Sequence, residues 1–176
     1  MVKKKILIDY SWINKKLSGG ALKSCQNLHK VFITENFQKY FDCTFLINKY
    51  QKNLFKFKNF KIQYAPKNIL LNHFFRIFFL FFLKNIKNID IIFVPNIYSP
   101  LFHGKAKVYN LIHDGQWLIY PEYFSFLRKI WFRINYYIIN HKRNNCIFTT
   151  EYLKKQYRNL IPNNNSEVIS LPFYKF

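Results

Sequence analysis

Two short polar segments combine residue types that can bind or react with a ligand. The first is Ser18-Gly19-Gly20, which lies between an apolar segment and a helical pattern. Glycines allow a loop to approach a ligand closely, and the start of a helix offers free backbone N–H groups to an anion. The pair fits neither G-x-G-x-x-G nor the Walker pattern, so a tight turn or a helix cap is the competing interpretation.

The second segment is His113-Asp114-Gly115, which directly follows the apolar segment KVYNLI at positions 107–112. An imidazole titrates near neutral pH and can therefore accept or donate a proton in a site. A structural histidine bonded to the backbone is the alternative. The other four histidines (His29, His73, His103 and His141) show no polar partner in the sequence pattern, and no functional role is assigned to them.

Several classes of chemistry are disfavoured. The few Asp, Glu, His and Cys residues do not cluster at metal-ligand spacing, so neither a metal nor a cofactor is expected. The G-x-S-x-G elbow of serine hydrolases is absent. Cys25, Cys43 and Cys146 lie far apart and form no C-x-x-C pair, so they are expected to be reduced core residues of a cytosolic protein.

The charge balance favours an anionic partner. The chain has 28 Lys and Arg against 8 Asp and Glu, a formal net charge of +20 spread over every segment. This pattern fits a lysine-rich solvated surface, or a surface that faces a membrane or phosphate groups. Nucleic acid is disfavoured as a partner, because no helix-turn-helix, RRM or zinc-finger signature is present.

Segments of strand length alternate with helical patterns along the chain. Strands are predicted at 5–9, 43–47, 60–64, 90–94, 107–112, 145–149 and 168–171, and helices from 21, at 67–88, at about 123–141 and at 151–160. This alternation predicts a single α/β Rossmann-like domain over residues 1–176, with a mostly parallel sheet and helices on both faces. Ligands bind at the carboxyl edge of such sheets, so Gly19, Gly20 and His113 are expected to face one cleft.

No membrane span or signal peptide is predicted. The longest apolar run, IFFLFFL at 77–83, is much shorter than a spanning helix requires, and the amino terminus lacks the apolar region of a signal peptide. The expected location is cytoplasmic, with peripheral contact at the anionic inner face of the membrane. The phenylalanine-rich segment 68–87 is the predicted contact. The alternative is that its phenylalanines belong to the core or to a lost protein interface.

Five segments resemble, in order, the amino-terminal domain of glycosyltransferase family 4, whose members are retaining enzymes of GT-B fold. They are ILIDYSWINKKLSGGALKSCQNL, DIIFVPN, LIHDGQWLIYPEYFSFLRKIWFR, NNCIFTTEYLKKQY and SEVISLPF. The resemblance covers nearly the whole chain, and the third segment, with its His-Asp and Tyr-Pro-Glu, is the most specific.

The resemblance implies transfer of a sugar from a nucleotide-sugar to a glycan or lipid-linked acceptor, with retention of configuration and generally without a metal. By position, Gly19 and Gly20 match the loop that approaches the donor's phosphates and sugar. His113 matches the catalytic histidine that approaches the donor sugar. Asp114 and Glu151 match substrate-side motif positions whose role can also be structural, since a carboxylate at a helix start is favourable by itself.

One departure from the family pattern is large. The donor-binding residues of the family, including a Glu-x7-Glu motif, belong to a second domain that these 176 residues do not contain. The expectation is therefore an acceptor-side domain that is inactive without a second domain or a separate donor-domain polypeptide. The alternatives are a non-catalytic saccharide- or membrane-binding domain, and the remnant of a truncated gene.

Overall fold

A computed structural model describes residues 2–13, 19–57, 60–78, 88–142, 144–162 and 165–169. Within these ranges seven strands form: β1 Lys4–Asp9, β2 Phe41–Ile47, β3 Lys61–Tyr64, β4 Ile91–Val94, β5 Lys107–Ile112, β6 Asn145–Phe148 and β7 Ser166–Val168. The helices there are α1 Gly19–Phe32, α2 Glu35–Tyr40, α3 Ile69–Phe78, α4 Gln116–Ile119, α5 Phe126–His141 and α6 Glu151–Tyr157, with 3-10 turns at Lys49–Gln51 and Pro121–Tyr123.

The seven strands form one sheet in the order β3-β2-β1-β4-β5-β6-β7, and every neighbouring pair is parallel. This arrangement confirms the predicted Rossmann-like α/β fold class. The direction of strand progression reverses between β1 and β4. In sheets of this type, a reversal opens a crevice beyond the carboxyl ends of the two strands, which is where ligands bind.

The two faces of the sheet carry different helices. Ile6 and Ile8 of β1 lie in one buried cluster with Cys25 and Phe32 of α1. Leu7, which alternates with them, lies in a second cluster with residues of β4 and α3. Because successive side chains of a strand point to opposite faces, α1 and α3 cover opposite sides of the sheet.

α5 lies on the same face as α3. Its Tyr136 and Ile139 share a buried cluster with Ile112 of β5 and with residues of β6. Strand register pairs Val94 of β4 with Asn110 of β5, so Ile112, two residues further along, points to the same face as Val94. Val94 belongs to the cluster that holds α3. We call this side of the molecule the α3–α5 layer.

Several boundaries differ from the predicted ones for local reasons. α5 begins at Phe126 instead of about 123, because Ser125 caps it by accepting the Arg128 N–H at 3.4 Å and Pro121–Tyr123 forms a separate 3-10 turn. Gly19 and Gly20, predicted to lie in a loop, form the first turn of α1.

Two other boundaries reach residues outside the described ranges. β7 pairs with β6 over Ser166–Val168, earlier than the predicted 168–171. Of the helix predicted at 67–88, the described part is Ile69–Phe78, and 79–87 lie outside it. None of the helices in the described part of the chain is both long enough and apolar enough to cross a bilayer.

Candidate functional site at the carboxyl edge of the sheet

A buried carboxylate marks the reversal point between β1 and β4. Asp9, the last residue of β1, is 1% exposed. Its Oδ1 accepts the backbone N–H of Ser11 at 2.8 Å and the Ser11 hydroxyl at 2.6 Å, and its Oδ2 accepts the Tyr98 hydroxyl at 2.6 Å. Such charge-assisted bonds offset the cost of burial. The sequence analysis missed this role, although an Asp directly after ILI was a visible signal.

Two asparagine side chains from other elements also hydrogen-bond the segment after β1. The Ser11 carbonyl accepts the side-chain amide of Asn48, which follows β2, at 3.3 Å, and that of Asn72 in α3 at 3.1 Å. Asn110 of β5 in turn donates to the carbonyls of Asn96 and Tyr98, at 3.1 and 2.6 Å, which holds the segment after β4. Hydrogen bonds between strands and loops therefore hold the chain in place on both sides of the reversal point.

His113 follows β5 at this edge and is half-buried. Its ring hydrogen-bonds the backbone of Pro95, directly after β4. Proline has no N–H, so the ring N–H donates to the Pro95 carbonyl. His113 Nε2 is shielded from solvent and has no hydrogen-bond partner in the described part of the chain, so the donor is Nδ1. The ring therefore leans toward β4, the strand at the reversal point.

The environment of His113 favours the neutral imidazole. Burial lowers the pKa of His113 below its ordinary 6.5, and this effect outweighs the opposite influence of the Asp114 charge and the bond to Pro95. With Nδ1 as the donor, Nε2 carries a lone pair that can accept a hydrogen bond. A buried nitrogen without a partner costs about 1–3 kcal/mol. Such an atom is unusual enough to need an explanation. A ligand hydroxyl could pair with it only if neighbouring side chains moved, because Nε2 is shielded from solvent.

Asp114 is exposed and makes hydrogen bonds that hold the turn after β5. Its Oδ1 accepts the Gln116 backbone N–H at 3.3 Å, and its carbonyl accepts the Tyr157 hydroxyl at 2.9 Å. These contacts set the turn into α4 and anchor it to α6. The geometry thus supports the structural role that the sequence analysis left open for this position.

Gly115 is the last residue of the segment His113-Asp114-Gly115, and it allows close packing against α6. The sequence analysis did not assign this role. Gly115 is buried, and a Cβ at this position would lie 3.2 Å from Leu153 Cδ2 and 3.7 Å from Tyr157 Cε2. The Tyr136 and Tyr157 hydroxyls lie 2.9 Å apart, and the Trp117 indole N–H donates to them at 3.2 and 3.1 Å. α6 therefore packs closely against the chain that carries His113.

Gly19 and Gly20 begin α1 at the same edge, since α1 follows the carboxyl end of β1. Gly20 is exposed, and a Cβ there would meet nothing within 4 Å. The first N–H groups of an α-helix lack intrahelical partners and can bind an anion. β5 is the second strand from β1, about 10 Å away. Gly20 and His113 thus stand at the same edge on either side of the reversal point.

Glu151 is the first residue of α6 and is exposed. Thr150 caps this helix, and its hydroxyl accepts the Leu153 N–H at 3.2 Å. A carboxylate at this position is stabilised by the helix dipole. Glu151 follows β6, one strand beyond His113 and further from the reversal point.

Trp12 is a second residue of interest that the sequence analysis did not single out. It lies three residues beyond β1 and packs against the clusters of both sheet faces. Its indole N–H is buried and has no acceptor within the described ranges. Together with His113 Nε2, it provides an unfilled donor and an unfilled acceptor at one sheet edge. A hydroxyl-bearing ligand can pair with both kinds of atom.

The three cysteines are free and buried. Among the described residues, no group of three or more His, Cys, Asp or Glu side chains could hold a metal ion.

No family model, curated protein or solved structure matches the chain.

Proposed function

We propose that this domain is the acceptor side of a retaining glycosyltransferase, which transfers a sugar from a nucleotide-sugar to a glycan or lipid-linked acceptor. The observation that carries the proposal is the neutral His113 imidazole at the carboxyl edge of the sheet, whose Nε2 is buried and has no partner within the described residues. This is the position at which the sequence resemblance requires a catalytic histidine.

The chemistry of the edge suits a sugar. His113 Nε2 can accept a hydrogen bond from a sugar hydroxyl, and the Trp12 indole N–H can donate one to a hydroxyl oxygen. A sugar presents several hydroxyls, each of which is both donor and acceptor. Both atoms are shielded from solvent, so a sugar reaches them only if neighbouring side chains move on binding. Pairing then satisfies two groups that are unpaired in the free protein.

The start of α1 suits the phosphates of the donor. Negative charge develops on the departing nucleotide diphosphate during transfer, and N–H groups aimed at that charge stabilise the transition state. We propose that a phosphate binds the first backbone N–H groups of α1, beside Gly20, where an added Cβ would meet nothing within 4 Å. One sheet edge supplies one wall of such a site. We propose that a second domain or polypeptide supplies the other wall and most contacts to the donor.

A second candidate is a non-catalytic saccharide-binding domain. The same unfilled atoms of Trp12 and His113 favour it, since they explain saccharide binding without any transfer. It differs from the first candidate because a saccharide-binding domain does not need to bind phosphate at the start of α1.

Both candidates are tested by ligand-observed NMR on the 176-residue chain with a panel of nucleotide-sugars, free nucleotides and oligosaccharides. We expect His113→Ala to abolish saccharide contacts, and Gly20→Ala to weaken binding of the diphosphate-containing ligands alone. His141→Ala is the matched control, because His141 is exposed at the far end of α5.

Retained saccharide contacts in His113→Ala would contradict both candidates. If saccharides bind equally well with and without a diphosphate, and if Gly20→Ala leaves their binding unchanged, the non-catalytic binding domain is the correct candidate.

A further inference from the structure

The outer side of α5 carries an unusual row of exposed apolar side chains. The row consists of Phe126, Leu127, Ile130, Ile134 and Tyr137, with Tyr123 just before the helix. Leu127, Ile130, Ile134 and Tyr137 are spaced three and four residues apart, so they share one helix face. Tyr123, Phe126 and Leu127 are 80%, 73% and 76% exposed. Several exposed apolar residues in one row mark an interaction surface, whereas isolated ones do not.

Exposed basic residues lie on the same helix as this row. Residues 126–142 contain no Asp or Glu, and Arg128, Arg133 and Lys142 are exposed there. Arg133 lies three residues from Ile130 and four from Tyr137, on the border of the apolar row. The Arg128 guanidinium, in contrast, lies over the Phe124 and Phe132 rings. The chain as a whole is also strongly basic, with a net charge of +20. The partner must therefore offer both negative charge and an apolar layer.

A second exposed apolar group lies on the same face of the sheet. Leu71, Phe74 and Phe78 of α3 are exposed, as is Phe102, whose ring centroid lies 6.4 Å from that of Phe78. The intervening chain joins the two helices, because the Leu101 N–H donates to the Ile77 carbonyl at 2.9 Å and the Ser99 N–H donates to Asn135 Oδ1 at 3.2 Å. One short segment thus contacts both helices, and the exposed groups of α3 and α5 lie on the same side of the sheet, in the α3–α5 layer.

We propose that the α3–α5 layer docks on the interface of a bilayer that contains anionic lipid. The basic residues meet acidic head groups while the exposed Phe, Leu, Ile and Tyr side chains enter the boundary with the acyl chains. A second copy of the chain is disfavoured, because a symmetric contact would place the Arg and Lys residues of α5 against each other. The inference goes beyond the proposed function, since it concerns a face of the sheet and not its ligand-binding edge.

This surface extends the contact predicted at 68–87. The structure describes that segment to residue 78, and 79–87 lie outside the described ranges. α5 was predicted from sequence as a helix of the domain, and its outer row was not singled out. The row occurs because α5 buries only its inner side, with Asn135, Tyr136, Ile138 and Ile139 buried.

The test is co-sedimentation of the whole chain with vesicles of phosphatidylcholine alone or mixed with phosphatidylglycerol, at low and high salt. One double variant, Leu127→Ser with Arg133→Glu, alters the α3–α5 layer. The matched control, Val31→Ser with Lys23→Glu, makes the same change in net charge at exposed positions of α1, on the opposite face. We expect salt-sensitive binding that requires phosphatidylglycerol, a loss of roughly tenfold or more in the first double variant, and little loss in the control.

Three outcomes would overturn the proposal. Equal losses in both double variants would mean that net charge alone drives binding. A lack of binding to phosphatidylglycerol vesicles would remove the membrane as the partner. A dimer in analytical ultracentrifugation that Leu127→Ser dissociates would assign the surface to a second copy. Circular dichroism of both double variants establishes that each is folded before binding is compared.

Discussion

At the scale of single residues, His113 differs from a histidine that only fills space. Its Nδ1 side is bound to the Pro95 backbone, and its Nε2 side is buried without a partner in the described chain. His29 also has a buried nitrogen, Nδ1, without a partner in the described residues, but its ring packs among aromatic rings of the core and its Nε2 lies 2.8 Å from the Lys56 carbonyl. What singles out His113 is an unfilled nitrogen at the carboxyl edge of the sheet.

The pKa of His113 is the first quantity to measure. Because burial disfavours the imidazolium more than Asp114 and Pro95 favour it, we expect the His113 ring to titrate below 6.5 in NMR spectra of the free protein. His113→Gln identifies the resonance by its disappearance. A midpoint at or above 6.5 would contradict the expected direction of the shift, and one well above 7 would show that the ring is mostly charged at neutral pH, contrary to its proposed role as a hydroxyl acceptor.

We expect His29 to make the stability of the fold depend on pH. Burial among aromatic rings lowers its pKa, although its Nε2 lies 2.8 Å from the Lys56 carbonyl. A histidine whose pKa is lowered by folding stabilises the fold fully above its unfolded pKa of about 6.5, and this contribution is lost as pH falls below that value. We expect the Tm to fall between pH 7 and pH 5, and less steeply in His29→Phe. Equal slopes in the two proteins would contradict this.

At the scale of elements, packing of α6 against the His113 segment depends on Gly115. Gly115→Ala would place a methyl group 3.2 Å from Leu153 Cδ2, and we expect it to lower the free energy of unfolding by about 1–3 kcal/mol. Gly20→Ala is the contrasting control, since its site is open and alanine favours a helix by about 0.5–1 kcal/mol. Urea titration measures both changes. Similar effects of the two substitutions would show that contact with α6 is not the cause.

The bond between Tyr98 and Asp9 links β1 to the segment after β4. Tyr98→Phe removes a donor 2.6 Å from a carboxylate that is 1% exposed, and we expect a loss of about 1.5–3 kcal/mol in urea titration. Tyr109→Phe is the control, because Tyr109 is a half-buried tyrosine of β5 with no hydroxyl bond among those found in the described residues. A loss below 0.5 kcal/mol would show that Ser11 alone satisfies the carboxylate.

The fold class and the succession of strands and helices along the chain were readable from sequence, because parallel strands buried on both faces appear as short apolar runs between helical patterns. The 107–112 strand was predicted with the observed bounds. Boundaries set by capping were less accurate, as at Ser125, where one hydroxyl decides where α5 begins.

The site was only partly readable. A histidine after an apolar strand is visible in a sequence, but the contacts of Asp9 with Tyr98, which is 89 residues away, depend on the sheet order that brings β1 beside β4. The buried indole of Trp12 likewise becomes informative only when its unpaired state is known. Long-range polar pairing has no local sequence pattern, whereas hydrophobic periodicity does.

At the scale of the whole molecule, the proposed ligand-binding edge and the α3–α5 layer lie on different surfaces of one sheet. The carboxyl edge carries His113 and Gly20, and the layer carries α5 with its basic and apolar row. A domain held on a bilayer by one face of its sheet would keep the carboxyl edge close to lipid-linked molecules. The two proposals are therefore compatible, although each has a separate test.

The last prediction concerns sugar transfer by the 176-residue polypeptide alone. Its carboxyl edge has His113, Trp12 and the start of α1, but by resemblance most of the groups that hold the donor diphosphate, including positive charge, belong to a second domain. The departing diphosphate needs such charge, or many N–H donors, as the bond to the sugar breaks. We therefore expect no product when the polypeptide is incubated with nucleotide-sugars and with lipid or glycan acceptors, measured by mass spectrometry. Turnover at about 1 s⁻¹ or faster, lost in His113→Ala, would show that these residues contain a complete active site.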